Sequence, residues 1–124
     1  MDPQKILLVE DDPFLKDIYR EALINAGYSV VTAEEGYEAL WKIRYGNWSL
    51  VLLDVVLPQI TGVEILRKLK EINHEDLIKM IVVLTNTDDD KDLNDIKAFT
   101  DKILIKSNMG PADLVKKIQD YLPK

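Results

Sequence analysis

Three stretches of this chain, Lys5 to Val9, Leu50 to Asp54 and Met80 to Thr85, are apolar along their length without alternating. A strand with one wet face alternates and a strand buried on both faces does not, so these runs require a sheet covered by helices on each side. Between them the hydrophobic period changes. Leu15, Ile18, Tyr19, Ala22, Leu23 and Ala26 repeat at helical spacing behind Asp12 and Pro13, and Gly27 stops that helix. Tyr28 to Ala33, rich in Val and Thr, reads as a second strand, and Glu35 to Tyr45 as a helix ended by Gly46. Ile65, Leu66, Leu69 and Ile72 mark a third helix, while Leu93, Ile96 and Phe99 mark a fourth. The acidic start of the fourth, Asp88, Asp89, Asp90 and Asp92, complements a helix dipole. Ile103 to Ile105 is a short fifth strand closed by Lys106, and Pro111, Leu114, Val115, Ile118 and Leu122 outline a last amphipathic helix. Strands alternating with helices in this way predict an α/β fold with right-handed crossovers and a parallel sheet.

Length and charge narrow the function. The 124 residues fit one domain, 1–124, with a worthwhile core. No segment is long and apolar enough to span a membrane, and the start, MDPQKILLVEDD, turns acidic after one short run, unlike a secretory signal; a cytoplasmic location is expected. The absence of cysteine removes disulfides and thiolate metal sites. A net charge of -6 opposes direct nucleic-acid binding, which needs clustered Lys and Arg.

In open parallel sheets the binding crevice forms at the carboxyl ends of the strands, near the point where strand order reverses. Glu10 and Asp11 follow the first strand, Asp54 ends the third, Thr85 the fourth, and Lys106 follows the fifth. Taken singly, Asp54 can be a solvated turn residue and Lys106 an ordinary surface lysine; all of them falling on one rim points to a site. Crowded carboxylates raise one another's pKa unless a cation enters, so Glu10, Asp11 and Asp54 call for a divalent ion, and an all-oxygen set favours a hard metal such as Mg²⁺. An ammonium and a hydroxyl opposite them suit phosphoryl oxygens, and a carboxylate can act as nucleophile to give an aspartyl phosphate.

With these residues in place, the chain resembles the receiver domains of bacterial two-component response regulators, and in particular single-domain chemotaxis regulators. ILLVEDDP, LLDVVLPQITG, VVLT and ILIK match the family's acidic pair, phosphoacceptor loop, switch threonine and lysine in order and spacing, across essentially the whole chain. The resemblance implies a flavodoxin-like doubly wound (βα)5 fold with strand order 2-1-3-4-5. It also implies that Asp54 accepts phosphate from a histidine kinase or phosphotransfer protein. The Mg²⁺ would be held by Asp11, Asp54, the carbonyl of Val56 and, through water, Glu10. Thr85 and Lys106 would then engage the phosphoryl group and shift the surface of the fourth helix, fifth strand and fifth helix, where an output partner or a second copy docks. Such a domain promotes its own phosphorylation and dephosphorylation without being a conventional enzyme. Asp12, third of three acids, can be a ligand or a cap, and its place before Pro13 favours the cap.

Four positions depart from the family pattern. Ile103 stands where an aromatic switch residue is usual, so a rotamer readout of that kind cannot operate. Ser107 replaces the proline after the lysine, and a cis bond before a non-proline residue costs ~2.5 to 4 kcal/mol, so a trans bond is expected. Asn86 replaces a small residue, and Thr61 replaces the usual Asp, Asn or Ser before Gly62. Ile103 and Ser107 favour the competing reading, a receiver-like adaptor that binds a partner without phosphotransfer. An aspartate-nucleophile phosphatase would carry a second Asp where Val56 stands, and a flavin-binding protein would not place acids in the first loop. His74, in a polar stretch, is expected to be exposed and not a ligand, and Trp41, Tyr45 and Trp48 to pack at the core edge.

Overall fold

The computed structural model describes residues 2–86 and 90–123. Five strands form one parallel sheet: β1 (Lys5–Val9), β2 (Ser29–Ala33), β3 (Leu50–Asp54), β4 (Ile81–Thr85) and β5 (Ile103–Ile105), in the order β2-β1-β3-β4-β5. The helices are α1 (Pro13–Asn25), α2 (Gly36–Tyr45), α3 (Gly62–Glu71), α4 (Glu75–Ile78), α5 (Asp90–Lys97) and α6 (Pro111–Ile118), with a 3-10 turn at Lys106–Asn108.

The unbroken apolar runs have the cause expected of them. Along each central strand alternate side chains enter two separate cores. Leu7, Val9, Val51, Leu53, Ile81 and Val83 meet α2, α3 and α5 through Ala39, Ile43, Ile65, Leu66, Leu69 and Ile96. Ile6, Leu8, Leu50, Leu52, Val82 and Leu84 meet α1 and α6 through Tyr19, Leu23, Leu114 and Ile118. Each residue so buried contributes roughly 1.5 to 3 kcal/mol, which both faces of the sheet collect at once.

Local signals set the helix boundaries. Asp12 caps α1, its Oδ1 accepting from the N–H groups of Phe14 and Leu15 at 2.9 and 3.1 Å, and Gly27 leaves the helix at φ +100°. α5 begins with Asp90 and Asp92 in its first turn, whereas Asp88 and Asp89 lie outside the described residues. The Lys106–Ser107 bond is trans, as expected with serine in the second position; no cis bond occurs among the described residues.

Four expectations are corrected. The chain between the third helix and β4 contains an additional turn of helix, α4, which four residues are too few to announce by periodicity. Ile72 is exposed at the C-cap of α3, because the apolar stripe of that helix is complete at Leu69. His74 is half-buried at the start of α4. Trp48 does pack at the core edge, its indole N–H donating to the Lys42 carbonyl at 2.7 Å, but Trp41 and Tyr45 stand on the outer face of α2 with their ring centroids 4.2 Å apart.

Candidate functional site at the carboxyl rim of the sheet

The chain leaves β1 through α1 toward β2 and leaves β3 through α3 toward β4, in opposite directions across the sheet, so a crevice opens between the carboxyl ends of β1 and β3. A cavity of about 500 Å³ lies there, lined by Glu10, Asp11, Asp54, Val56, Thr85, Asn86 and Lys106 among others. All four strand-end segments named from the sequence therefore converge on one space. Within it one carboxylate oxygen from each of Glu10, Asp11 and Asp54 lies within 4.8 Å of the others. Asp11 is exposed, whereas Glu10 and Asp54 are only 0 % and 3 % exposed.

The cation already in the site is Lys106, itself buried. Its Nζ donates to Glu10 Oε1 at 2.9 Å and to Asp54 Oδ2 at 3.1 Å. Asp54 Oδ1 accepts from the Val56 N–H at 3.3 Å, and Glu10 Oε2 from the Asp12 N–H at 3.3 Å. Two buried acids against one ammonium leave an excess of negative charge. Burial, reinforced by the hydrogen bond and charge of Asp54, pushes the Glu10 carboxyl up to about 7, although Lys106 opposes the rise. Burial by itself would lower the Lys106 ammonium, but the Glu10 hydrogen bond and both carboxylate charges outweigh it and hold the group above the usual lysine range. A carboxyl raised this far, beside two further acids, fits a site that takes up a divalent cation.

Thr85 closes β4 with its side chain buried and lines the same cavity. Val56 is exposed at the loop tip. Ile103, by contrast, is not on the rim: it starts β5 opposite Val83 and packs half-buried on the core that Ile96 of α5 also enters.

The loop from Asp54 to Gly62 is held by contacts that sequence reasoning did not foresee. A Cβ on Gly62 would lie 2.6 Å from the Asp54 carbonyl oxygen, and the Gly62 N–H donates to the Val55 carbonyl at 2.8 Å; only glycine permits that approach. On the other side Gly36, at the start of α2, donates to the Pro58 carbonyl at 3.0 Å, and a Cβ there would meet the Ile60 carbonyl oxygen at 2.4 Å. Gln59 stands at φ +75°, a conformation costly for a residue with a side chain. Its amide compensates by accepting from the Tyr37 N–H at 3.1 Å and donating to Glu35. Thr61 caps α3, its Oγ1 accepting from the Glu64 N–H at 3.1 Å and donating to the Glu64 carboxylate. The Thr61-x-x-Glu64 spacing was a legible capping signal. Gly36 and Gln59 carried none, because their partners are 22 to 24 residues away in the chain.

The model of the response regulator receiver domain matches residues 6–119. The chain belongs to that family. This receiver domain is 35 % identical over 89 residues to the alkaline phosphatase synthesis transcriptional regulatory protein PhoP of Bacillus subtilis, covering 72 % of this chain and 36 % of that protein. It is 28 % identical over 128 residues to the transcriptional regulatory protein CpxR homolog of Haemophilus influenzae, covering 93 % of this chain and 56 % of that one. The chain thus spans only part of the length of the curated relatives it matches. Among solved structures, the receiver domain superimposes on the chemotaxis response regulator CheY4 of Vibrio cholerae with a TM-score of 0.82 and 29 % identity, covering 97 % and 99 % of the two chains. It also matches the receiver domain of the sensor histidine kinase PA1611 of Pseudomonas aeruginosa, a structure with a magnesium ion coordinated in the active site cleft, with a TM-score of 0.83, 26 % identity and coverage of 96 % and 97 %. The flavodoxin-like order 2-1-3-4-5 is therefore that of its family, and receiver domains act between histidine kinases and output partners in two-component systems.

Proposed function

We propose that this receiver domain takes a phosphoryl group onto Asp54 from a histidine kinase or a histidine phosphotransfer protein and passes the signal to an output partner. The reading rests on one observation: Lys106 Nζ is held between Glu10 and Asp54 at the floor of a cavity that Asp11 and Thr85 also line. The ammonium stands where charge must be neutralised when a phosphate arrives beside two buried acids.

Asp54 would attack phosphorus, an Asp54 O–P bond forming as the P–N bond to the donor imidazole breaks and the leaving imidazole takes up a proton. Lys106, pinned beside both carboxylates, would pass from Asp54 Oδ2 to a phosphoryl oxygen, and the Thr85 hydroxyl would donate to another. Asp11, Asp54, the Val56 carbonyl and, through water, Glu10 would hold Mg²⁺, which when bound supplies positive charge opposite the transferring group. Moving Thr85 at the end of β4 would bias the packing of α5 on β5 and so the α5–β5–α6 surface, by population shift. With Ile103 on β5, that surface would change by apolar repacking instead of an aromatic rotamer. A partner protein or a second copy would dock there in the cytoplasm, with no direct contact to nucleic acid.

The test is incubation with Mg²⁺ and acetyl phosphate, followed by intact mass and site mapping. The expected result is the mass gain of one phosphoryl group on Asp54, absent in Asp54→Asn. An unchanged mass while a known receiver is labelled alongside would favour the adaptor reading instead.

A further inference from the structure

The opposite end of the sheet carries a second cavity, of about 300 Å³, walled by Lys70, Glu75, Lys79, Phe99, Thr100 and Lys102. These residues come from four separate segments: the end of α3, the added turn α4 with the approach to β4, the exit from α5, and the approach to β5. We propose that this cavity binds a phosphorylated anion carrying a flat ring, a ligand of the mononucleotide class.

Charge is the first reason. The chain has 22 acidic against 16 basic side chains, yet among the described residues none of Lys70, Lys79 and Lys102 forms an ion pair with a carboxylate. Three lysines and the single acid Glu75 among the residues lining one hollow leave an excess of positive charge there in an otherwise acidic molecule. Lysine ammonium groups are compact point charges suited to phosphate oxygens. The lysines are also partly arranged already. Lys102 Nζ donates to the Lys79 carbonyl, which ties the approach to β5 to the approach to β4. Lys70 Nζ stands 5.8 Å from the centre of the Phe99 ring.

Shape and chemistry give the second reason. A volume of about 300 Å³ is more than a bare phosphate fills and stands at the small end of ligand pockets. Phe99 on its wall is half-buried against the core with Lys70 Nζ over its ring, so a heteroaromatic base would stack there as Lys70 turns to the phosphate, an interaction that tolerates any base. Beside it Thr100 Oγ1 accepts from the Lys102 N–H at 3.0 Å, which leaves its own hydrogen to donate to a ligand oxygen. The cavity shares no lining residue with the Asp54 site, so binding there can be measured without phosphotransfer.

The experiment is a ¹⁵N–¹H NMR titration of the unphosphorylated chain with AMP, adenosine and inorganic phosphate in turn. AMP is expected to shift the amides of Lys79 and of residues 98–102 saturably, with phosphate acting on the same amides more weakly and adenosine least. The double variant Lys70→Gln with Lys79→Gln should weaken AMP about tenfold or more, the loss expected when hydrogen bonds to charged groups are removed. Glu75→Gln should tighten it. Shifts confined to the Asp54 cavity, no saturable change at the lysine end, or equal affinity in parent and double variant would each overturn the proposal. Binding of a poly-glutamate peptide at this end in place of AMP would overturn the nucleotide class.

Discussion

The two ends of the sheet hold cations in opposite circumstances. At the carboxyl rim Lys106 is 9 % exposed and bonded to two buried acids, while at the amino end Lys70 and Lys79 are exposed and have no acidic partner among the described residues. The contrast separates two uses of a positive charge. Lys106 is part of the folded state's own electrostatics, because removing it strands Glu10 and Asp54 in a medium that penalises unpaired charge. Lys70 and Lys79 at the other end are exposed and contribute little to folding through ion pairing.

Comparing one substitution at each end is the strongest way to break this contrast. In metal-free buffer Lys106→Met should cost ~3 to 5 kcal/mol by urea unfolding, the range for removing one partner of a buried ion pair. Lys79→Gln should stay within about 0.5 kcal/mol. Equal losses at both ends would mean that the rim charges are more hydrated than their burial implies.

A backbone substitution sharpens the same point without touching charge. Gly62→Ala should cost roughly 1 to 3 kcal/mol and slow phosphorylation by acetyl phosphate, since its Cβ would press on the Asp54 carbonyl and displace the loop that carries the site. Thr61→Ala, which removes the cap of α3 but leaves that contact, should cost ~1 kcal/mol with a smaller effect on rate.

The pH dependence of stability gives the finest comparison. Glu10 holds its proton up to about pH 7 in the native chain and only to the ordinary value of 4.5 when unfolded. Between those values the native state binds more protons, so metal-free stability should fall as pH rises from 4.5 to 7 and then level off. Lys106 does not compete in that window, because a raised lysine loses its contribution only above its unfolded value of 10.5. Glu10→Gln should flatten the slope, and Mg²⁺ should offset the loss at pH 7 and above, both read from urea midpoints. An unchanged slope in Glu10→Gln would assign the dependence to another group.

Much of this molecule was legible before any coordinates. Unalternating apolar runs specified a sheet covered on both faces, since apolar residues at every position of a strand are stable only there. Polar residues at the ends of those runs marked the rim, and Asp12-Pro13 announced its helix, because a cap depends on neighbours in the chain. Other features depended on residues that are neighbours only in space. That Lys106 bridges Glu10 and Asp54, 96 and 52 positions away, follows from strand order and not from any local pattern. The same is true of Gly36 and Gln59 bracing the Asp54 loop from α2 and of the short α4 turn walling the lysine cavity. Periodicity and propensity act over a few residues and so speak for elements. Burial, charge pairing and close backbone approach are set by what the fold brings together, and only the tertiary structure decided them.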